Sequence, residues 1–219
     1  MKNLYLFDID GTMVDMTSAH VKAYRLAYKK VFGIKVSREA LIREFGDVEK
    51  AMHEKIFHHY RISGKHKIKL IIDLYTSSLI NSFKTANVKV LPGVKKFLKN
   101  LKTNGQLLGA VTGNSKVVGQ AILKRAKLYN YFDFYIYGGI NKRAHIIRKA
   151  IVKAKNRKLK FGKVIVIGDA PFDIRAGKAN RAMTVAVATG RYNVAELKRE
   201  NPDLALASLG DYDRILRIA

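Results

Sequence analysis

The chain has 219 residues, with 42 Lys and Arg against 17 Asp and Glu, a formal net charge of +25 and no cysteine. The length suits one large domain or one domain with an insert, and the missing thiols exclude a disulfide framework, a thiolate metal site and a cysteine nucleophile. The basic balance implies attraction to anions, nucleic acid among them, although Lys is scattered along the chain in the manner of solvated helix faces.

No stretch approaches the roughly 20 apolar residues of a membrane span. The N-terminus MKNLYLFDIDG has no long apolar region and no small-residue cleavage site. The expectation is a soluble, cytoplasmic protein.

In chain order, Asn3 to Ile9 reads as a short apolar strand. Residues from about 17 to 86 then turn helical in pattern. SAHVKAYRLAYKKVFG stops at Gly33, SREALIREFG offers Ser37 as a cap and Gly46 as a stop, and DVEKAMHEKIFHHY and HKIKLIIDLYTSSLINSFKT complete the stretch. No strand is expected there. From Leu91 onward the pattern alternates. PGVKKFLKNLKTNG is a helix and QLLGAVTG a strand; Ser115 to Lys127 is a helix and YFDFYIYG a strand. Lys142 to Lys158 is a helix, KVIVIGD a buried strand, and PFDIRAGKAN a helix opened by Pro171. MTVAVATG is a strand, VAELKREN a helix, and a last helix lies near DYDRILRI, with PDLALASL unassigned between them. Strands separated by helices imply parallel βαβ units. The expected fold is therefore α/β, a Rossmann-like doubly wound parallel sheet interrupted after its first strand by a helical insert.

Ligands of open α/β sheets bind beyond the carboxyl ends of the strands. The first strand ends in Asp8, Asp10, Gly11 and Thr12. The QLLGAVTG strand ends in Thr112, Gly113 and Asn114, and the KVIVIGD strand in Gly168 and Asp169, with Asp173 a helical turn later. Residues i and i+2 of a strand share a face, so Asp8 and Asp10 are expected to point the same way and repel. Asp8, Asp10, Asp169 and Asp173 together call for a cation, and oxygen-only ligands select a hard divalent ion such as Mg²⁺.

These segments carry a resemblance. DIDGTMVD resembles the first motif, D-x-D-G-T, of the haloacid dehalogenase superfamily of hydrolases. VTGN resembles the second motif, a strand-end Thr or Ser, and GDAPFDIRAG the fourth, GD-x-P-x-D-x-x-A-G. The helical insert and the tail VATGRYNVAELKRENPDLALASL look like the phosphoglycolate phosphatase-like branch. The resemblance implies a core formed by residues 1–16 and 87–219 and a helical cap formed by 17–86. It implies a phosphatase acting on a small phosphorylated metabolite. Asp8 would be the nucleophile that becomes an aspartyl-phosphate, and Asp10 the general acid and then base. Thr112, with the turns at Gly11, Gly113 and Asn114, would hold the phosphoryl oxygens. Asp8 and Asp169 would ligate Mg²⁺, joined by Asp10 through its backbone carbonyl, and Asp173 would order the site.

Two departures stand out. The third motif of the family, a basic residue that clamps nucleophile and phosphate, has only INKRAHII to represent it, and both Lys142 and Arg143 qualify. Ala170 stands where many relatives have Thr or Ser. Five of the six histidines fall in the insert. HEKIFHH lacks the H-E-x-x-H spacing of a metal helix and reads as a solvated or substrate-facing one. Arg61, Lys65 and Lys67 beside it are candidates for an anionic substrate tail. The rival functions are a phosphomutase of the same fold and, from the charge alone, a nucleic-acid-binding or end-processing protein. Oligomeric state is not legible.

Overall fold

The computed structural model describes residues 2–46, 49–83, 87–138 and 142–219. Strand β1 (Leu4–Phe7) is followed by β2 (Val14–Asp15) and then by four helices: α1 (Thr17–Phe32), α2 (Arg38–Glu44), α3 (Glu49–His59) and, after a 3₁₀ turn at Lys65–Lys67, α4 (Ile68–Ser82). Strand β3 (Lys89–Val90) returns antiparallel to β2. The chain then alternates: α5 (Val94–Thr103), β4 (Leu107–Thr112), α6 (Lys116–Arg125), β5 (Phe134–Tyr137), α7 (Arg143–Asn156), β6 (Val164–Gly168), α8 (Pro171–Ala179), β7 (Met183–Val187), α9 (Val194–Lys198), β8 (Leu204–Leu206) and α10 (Asp213–Ile218).

Six strands form one parallel sheet in the order β5-β4-β1-β6-β7-β8. All four residues of β1 are buried, as a central strand covered on both faces requires. Its side chains alternate between two cores. Tyr5 and Phe7 meet Phe97 of α5 edge-on, at ring distances of 6.1 and 5.8 Å, while Leu4 and Leu6 pack with Phe134, Ile146 and Ile147 on the opposite face. The chain leaves β1 toward β4 and β5, then returns to the other side of β1 through β6. The order therefore reverses between β1 and β6, which opens a crevice at their carboxyl ends.

Among its described residues, the segment between β2 and β3 consists of helices joined by turns and short extended links, with no strand. Gly33 ends α1 with φ 70°, and the Ser37 hydroxyl caps α2 by accepting from Ala40 N–H. Helix α1 buries His20, Tyr24, Ala27 and Tyr28, one face at helical spacing. It lies along α4, where Tyr24 stacks on Tyr75 with ring centroids 3.8 Å apart.

Several expectations change in detail. The first strand stops at Phe7, so Asp8 already lies beyond the sheet and Asp10 sits in a turn bridged to Val14. The β2–β3 pair and β8, within PDLALASL, are strands too short for periodicity to reveal. The expected boundary at residue 86, the Asp47–Val48 start of the third helical segment and Ile140–Asn141 of INKRAHII lie outside the described residues. The histidine reading needs a correction. His53 is 0 % exposed and His20 8 %, so these two are core residues, whereas His58, His59 and His66 are exposed. A helix with histidines on both faces has no signature that says which face is inward. No described helix is long and apolar enough to cross a membrane.

Candidate active site

The reversal point places the end of β1 beside the end of β6. Asp8 N–H donates to Ile167 O at 2.9 Å, which continues the ladder one residue past β1 and fixes where the Asp8 side chain leaves the sheet. Asp169 follows β6, and Asp173 lies in the first turn of α8, which Pro171 opens. Asp8, Asp169 and Asp173 are all buried and offer carboxylate oxygens within 4.8 Å of one another.

Arg143, the first residue of α7, enters this cluster. Its Nη1 donates to Asp8 Oδ1 at 2.8 Å and its Nε lies 3.0 Å from Asp173 Oδ1. Thr12 Oγ1 donates to Asp169 Oδ1 at 3.1 Å. Gly11 and Gly190 make room for Asp169, since a Cβ at either would fall 2.3 or 1.7 Å from its Oδ2.

The electrostatics follow from burial. Loss of solvent pushes the Asp8 carboxyl well above its ordinary range, against the pull of Arg143 and with the push of Asp173 and Asp169. Burial, then the Asp173 charge, pushes Asp169 up to about 8, and burial raises Asp173 although Arg143 opposes it. Burial also works against the Arg143 cation, but Asp8, Asp173 and Asp169 outweigh it and hold its pKa above normal. Three carboxylates and one guanidinium leave two negative charges when all are ionised. Among the described residues, Asp173 Oδ2 is buried with no hydrogen-bond partner. An all-oxygen donor set, two surplus negative charges and an orphaned oxygen fit a divalent cation of the Mg²⁺ class.

Asp10 goes elsewhere. Because the strand has ended, its carboxylate stands outside the three-carboxylate cluster. Its Oδ1 lies 3.0 Å from His20 Nε2, and its Oδ2 accepts from Asn114 Nδ2 at 2.5 Å. His20 Nδ1 lies 2.7 Å from the Tyr75 hydroxyl. Asn114 N–H donates to Thr112 Oγ1 at 3.1 Å, which ties the β4 end to the same place. Gly113 faces open space, Gly11 has φ 79°, and the Thr189 hydroxyl donates to Gly11 O at 2.6 Å.

The structure thus brings together Asp8, Asp169, Asp173 and Arg143, and beside them Asp10, Thr112 and Asn114. Lys142 is exposed just before α7, and its neighbour Arg143 is the residue in the cluster. Sequence reasoning missed His20, Tyr75 and Gly190. Thr12 stood in the D-G-T motif without a role, and His20 carried no signal apart from following that motif by a few residues. The Arg61–Lys67 stretch sits at the far end of α1. Lys67 Nζ lies 5.4 Å from the Phe32 ring, and Gly64 borders the same ring. His20 and Phe32 are separated by roughly 18 Å along the helix. These cations are therefore remote from the carboxylates. A groove of about 600 Å³ on the outer face of α7, lined by Arg148, Lys149 and Val152 among others, contains none of the site residues.

The fold and site define an α/β protein with its acidic centre at the switch point of a parallel sheet. Residues 5–187 match the haloacid dehalogenase-like hydrolase family, and the chain belongs to it. It is 26 % identical over 199 residues to a Clostridium perfringens protein named "Putative pyrophosphatase PpaX", covering 90 % of this chain and 89 % of that one. It is 25 % identical over 213 residues to the phosphoglycolate phosphatase of Yersinia pseudotuberculosis, covering 94 % and 89 %. The crystal structure of a predicted phosphatase from Clostridium acetobutylicum superposes with a TM-score of 0.81 at 25 % identity, covering 99 % of each chain. The chain is a phosphatase-type enzyme of this family.

Proposed function

We propose that the enzyme hydrolyses a small phosphomonoester through a covalent phosphoryl intermediate on Asp8. The observation that carries this reading is the Arg143 guanidinium bridging Asp8 and Asp173 within 3.0 Å, in a buried crevice that also holds Asp169. In the first step an Asp8 oxygen attacks phosphorus, the bond from phosphorus to the ester oxygen breaks, and Asp10 gives its proton to the departing alcohol. In the second step Asp10 takes a proton from water, which attacks phosphorus and frees Asp8 and inorganic phosphate. His20 and Asn114 hold the two oxygens of Asp10 for this work. Arg143 opposes the burial that favours the protonated form of Asp8 and has further N–H groups for phosphoryl oxygens. Thr112 Oγ1 accepts from Asn114, so its own proton is available to a phosphoryl oxygen. Asp8, Asp169 and Asp173, with the Asp10 carbonyl, would hold Mg²⁺, whose charge offsets repulsion between carboxylate and phosphate.

The division into a core of residues 1–16 and 87–219 and a cap of 17–86 belongs to this proposal. α1 brings His20 over Asp10, so the helical segment covers the leaving-group side and excludes water. A short anionic phosphate ester of the phosphoglycolate kind fits such a closed site and the similarity to the Yersinia enzyme. A panel of phosphate esters, with released phosphate measured with and without Mg²⁺, tests the reading. Release from none of them would overturn it.

A further inference from the structure

Phe172 is the second residue of α8, next to Asp173. The Arg143 guanidinium carbon lies over its ring, 5.0 Å from the centroid. The edge of the same ring meets Gly46, just beyond α2, so closely that a Cβ there would fall 2.1 Å from Cε1 and 2.4 Å from Cζ. Gly46 also has φ 97°, a conformation other residues rarely take. A second contact holds the same segment to the core. Arg191 Nη1, from the loop after β7, donates to Ile42 O at 3.2 Å and Arg43 O at 2.9 Å, the exposed carbonyls at the end of α2.

We infer that Phe172 is a positioning residue through which the docking of the α2–Gly46 segment sets the plane of the Arg143 guanidinium. The inference rests on the proposed role of Arg143 as phosphoryl clamp. Two ion pairs fix where the guanidinium sits but leave its plane free to tilt about the line joining Asp8 and Asp173. A ring against its face removes that freedom, and a planar donor fork is useful to a phosphate only at the right tilt. The ring in turn is backed by Gly46 on its outer edge. Only the absence of a side chain at residue 46 lets the helical segment come close enough to provide that backing. When the segment is docked, the clamp is ordered. When it lifts, the ring loses its backing and Arg143 its orientation.

The test uses the full chain with Phe172→Leu, Phe172→Tyr, Gly46→Ala and the Gly46→Ala/Phe172→Leu pair. It reads kcat, KM and the inhibition constant of inorganic phosphate. Phe172→Leu keeps apolar bulk and removes the aromatic face, so kcat should fall and phosphate inhibition weaken by about tenfold, the scale of a desolvated cation–π contact. Phe172→Tyr should restore both. Gly46→Ala should show a similar deficit alone and add little to Phe172→Leu, because both act through one ring. Wild-type kcat and phosphate inhibition in Phe172→Leu, or deficits that multiply in the pair, would overturn the inference. If Phe172→Leu does not fold, Gly46→Ala decides alone, and unchanged phosphate inhibition counts against us. Asp8→Asn separates the two levels. Phosphate release retained in that variant defeats the proposed function and this inference with it; a dead Asp8→Asn beside an unaffected Phe172→Leu defeats the inference only.

Discussion

His20 Nε2 lies 3.0 Å from Asp10 Oδ1, which joins the first helix of the insert to the turn that follows the first strand. With Asp10 ionised, Nε2 carries the proton and donates, and Nδ1 accepts from the Tyr75 hydroxyl at 2.7 Å. Replacing His20 by Asn should misplace the proton donor and lower kcat for alkyl phosphates by about tenfold, a fraction of what general acid catalysis contributes. An aryl phosphate leaves readily without a proton and should lose less. Steady-state rates on one ester of each kind check this; equal losses would mean that His20 serves the fold alone.

Asp8→Asn keeps the shape of the nucleophile and removes its attacking oxygen. Turnover should fall by about a thousandfold or more. The melting temperature should hold or rise, because the change removes one charge from a cluster of buried carboxylates whose repulsion it relieves. Phosphate release and a thermal melt on the same sample are the measurements.

Metal dependence follows from the two surplus negative charges around Asp8, Asp169 and Asp173. Chelation should remove activity and Mg²⁺ restore it, while Ca²⁺ should support little, since its looser coordination does not hold an in-line geometry. Mg²⁺ should also raise the melting temperature in the absence of substrate, by an amount that grows with its concentration. That second readout separates a bound ion from an ion carried in by the substrate.

His53 gives the helical segment a pH limit. It is 0 % exposed, its Nδ1 is 2.7 Å from the Tyr28 hydroxyl, and its Nε2 has no hydrogen-bond partner among the described residues. Burial lowers its pKa to about 4 from the ordinary 6.5. The folded value lies below the unfolded one, so the unfolded chain binds the proton more readily. The stability is therefore present above pH 6.5 and is lost as pH falls toward 4, by roughly 3 kcal/mol in all. His53→Phe should remove this step from a plot of unfolding free energy against pH.

Arg61 and Lys65 should be silent in catalysis. Their stretch of chain meets Phe32 through Gly64 and Lys67, at the opposite end of α1 from His20. Neutralising both should leave KM for an anionic phosphate ester within about twofold, whereas Arg143→Met should abolish measurable saturation. A raised KM in the double variant would place the substrate tail farther along the insert than its helices indicate.

The strand ends that meet in the crevice were legible in the sequence. Apolar runs closed by DIDGT, VTGN and GDAPFD are local signals, because a buried strand and the turn after it are set by neighbouring residues, and sheet topology then brings such ends to one edge. For the same reason Gly33 and Ser37 marked helix ends correctly: capping is decided within a few residues. Other features depended on packing between distant segments. Lys142 and Arg143 are neighbours of similar chemistry, but Lys142 is extended and Arg143 opens the helix, and only the placement of α7 against β4, β5 and α8 decides which one reaches Asp8. The histidines posed the same problem, since periodicity shows that a helix has a buried face without saying which element covers it. Only that covering puts His20 on Asp10 and encloses His53. Asp10 itself turned away from Asp8 because β1 stopped at Phe7, three residues short of Asp10, so the alternation of a strand did not align them. Local physics set the residues at each strand end, and the packing of helices across the sheet set which of them meet.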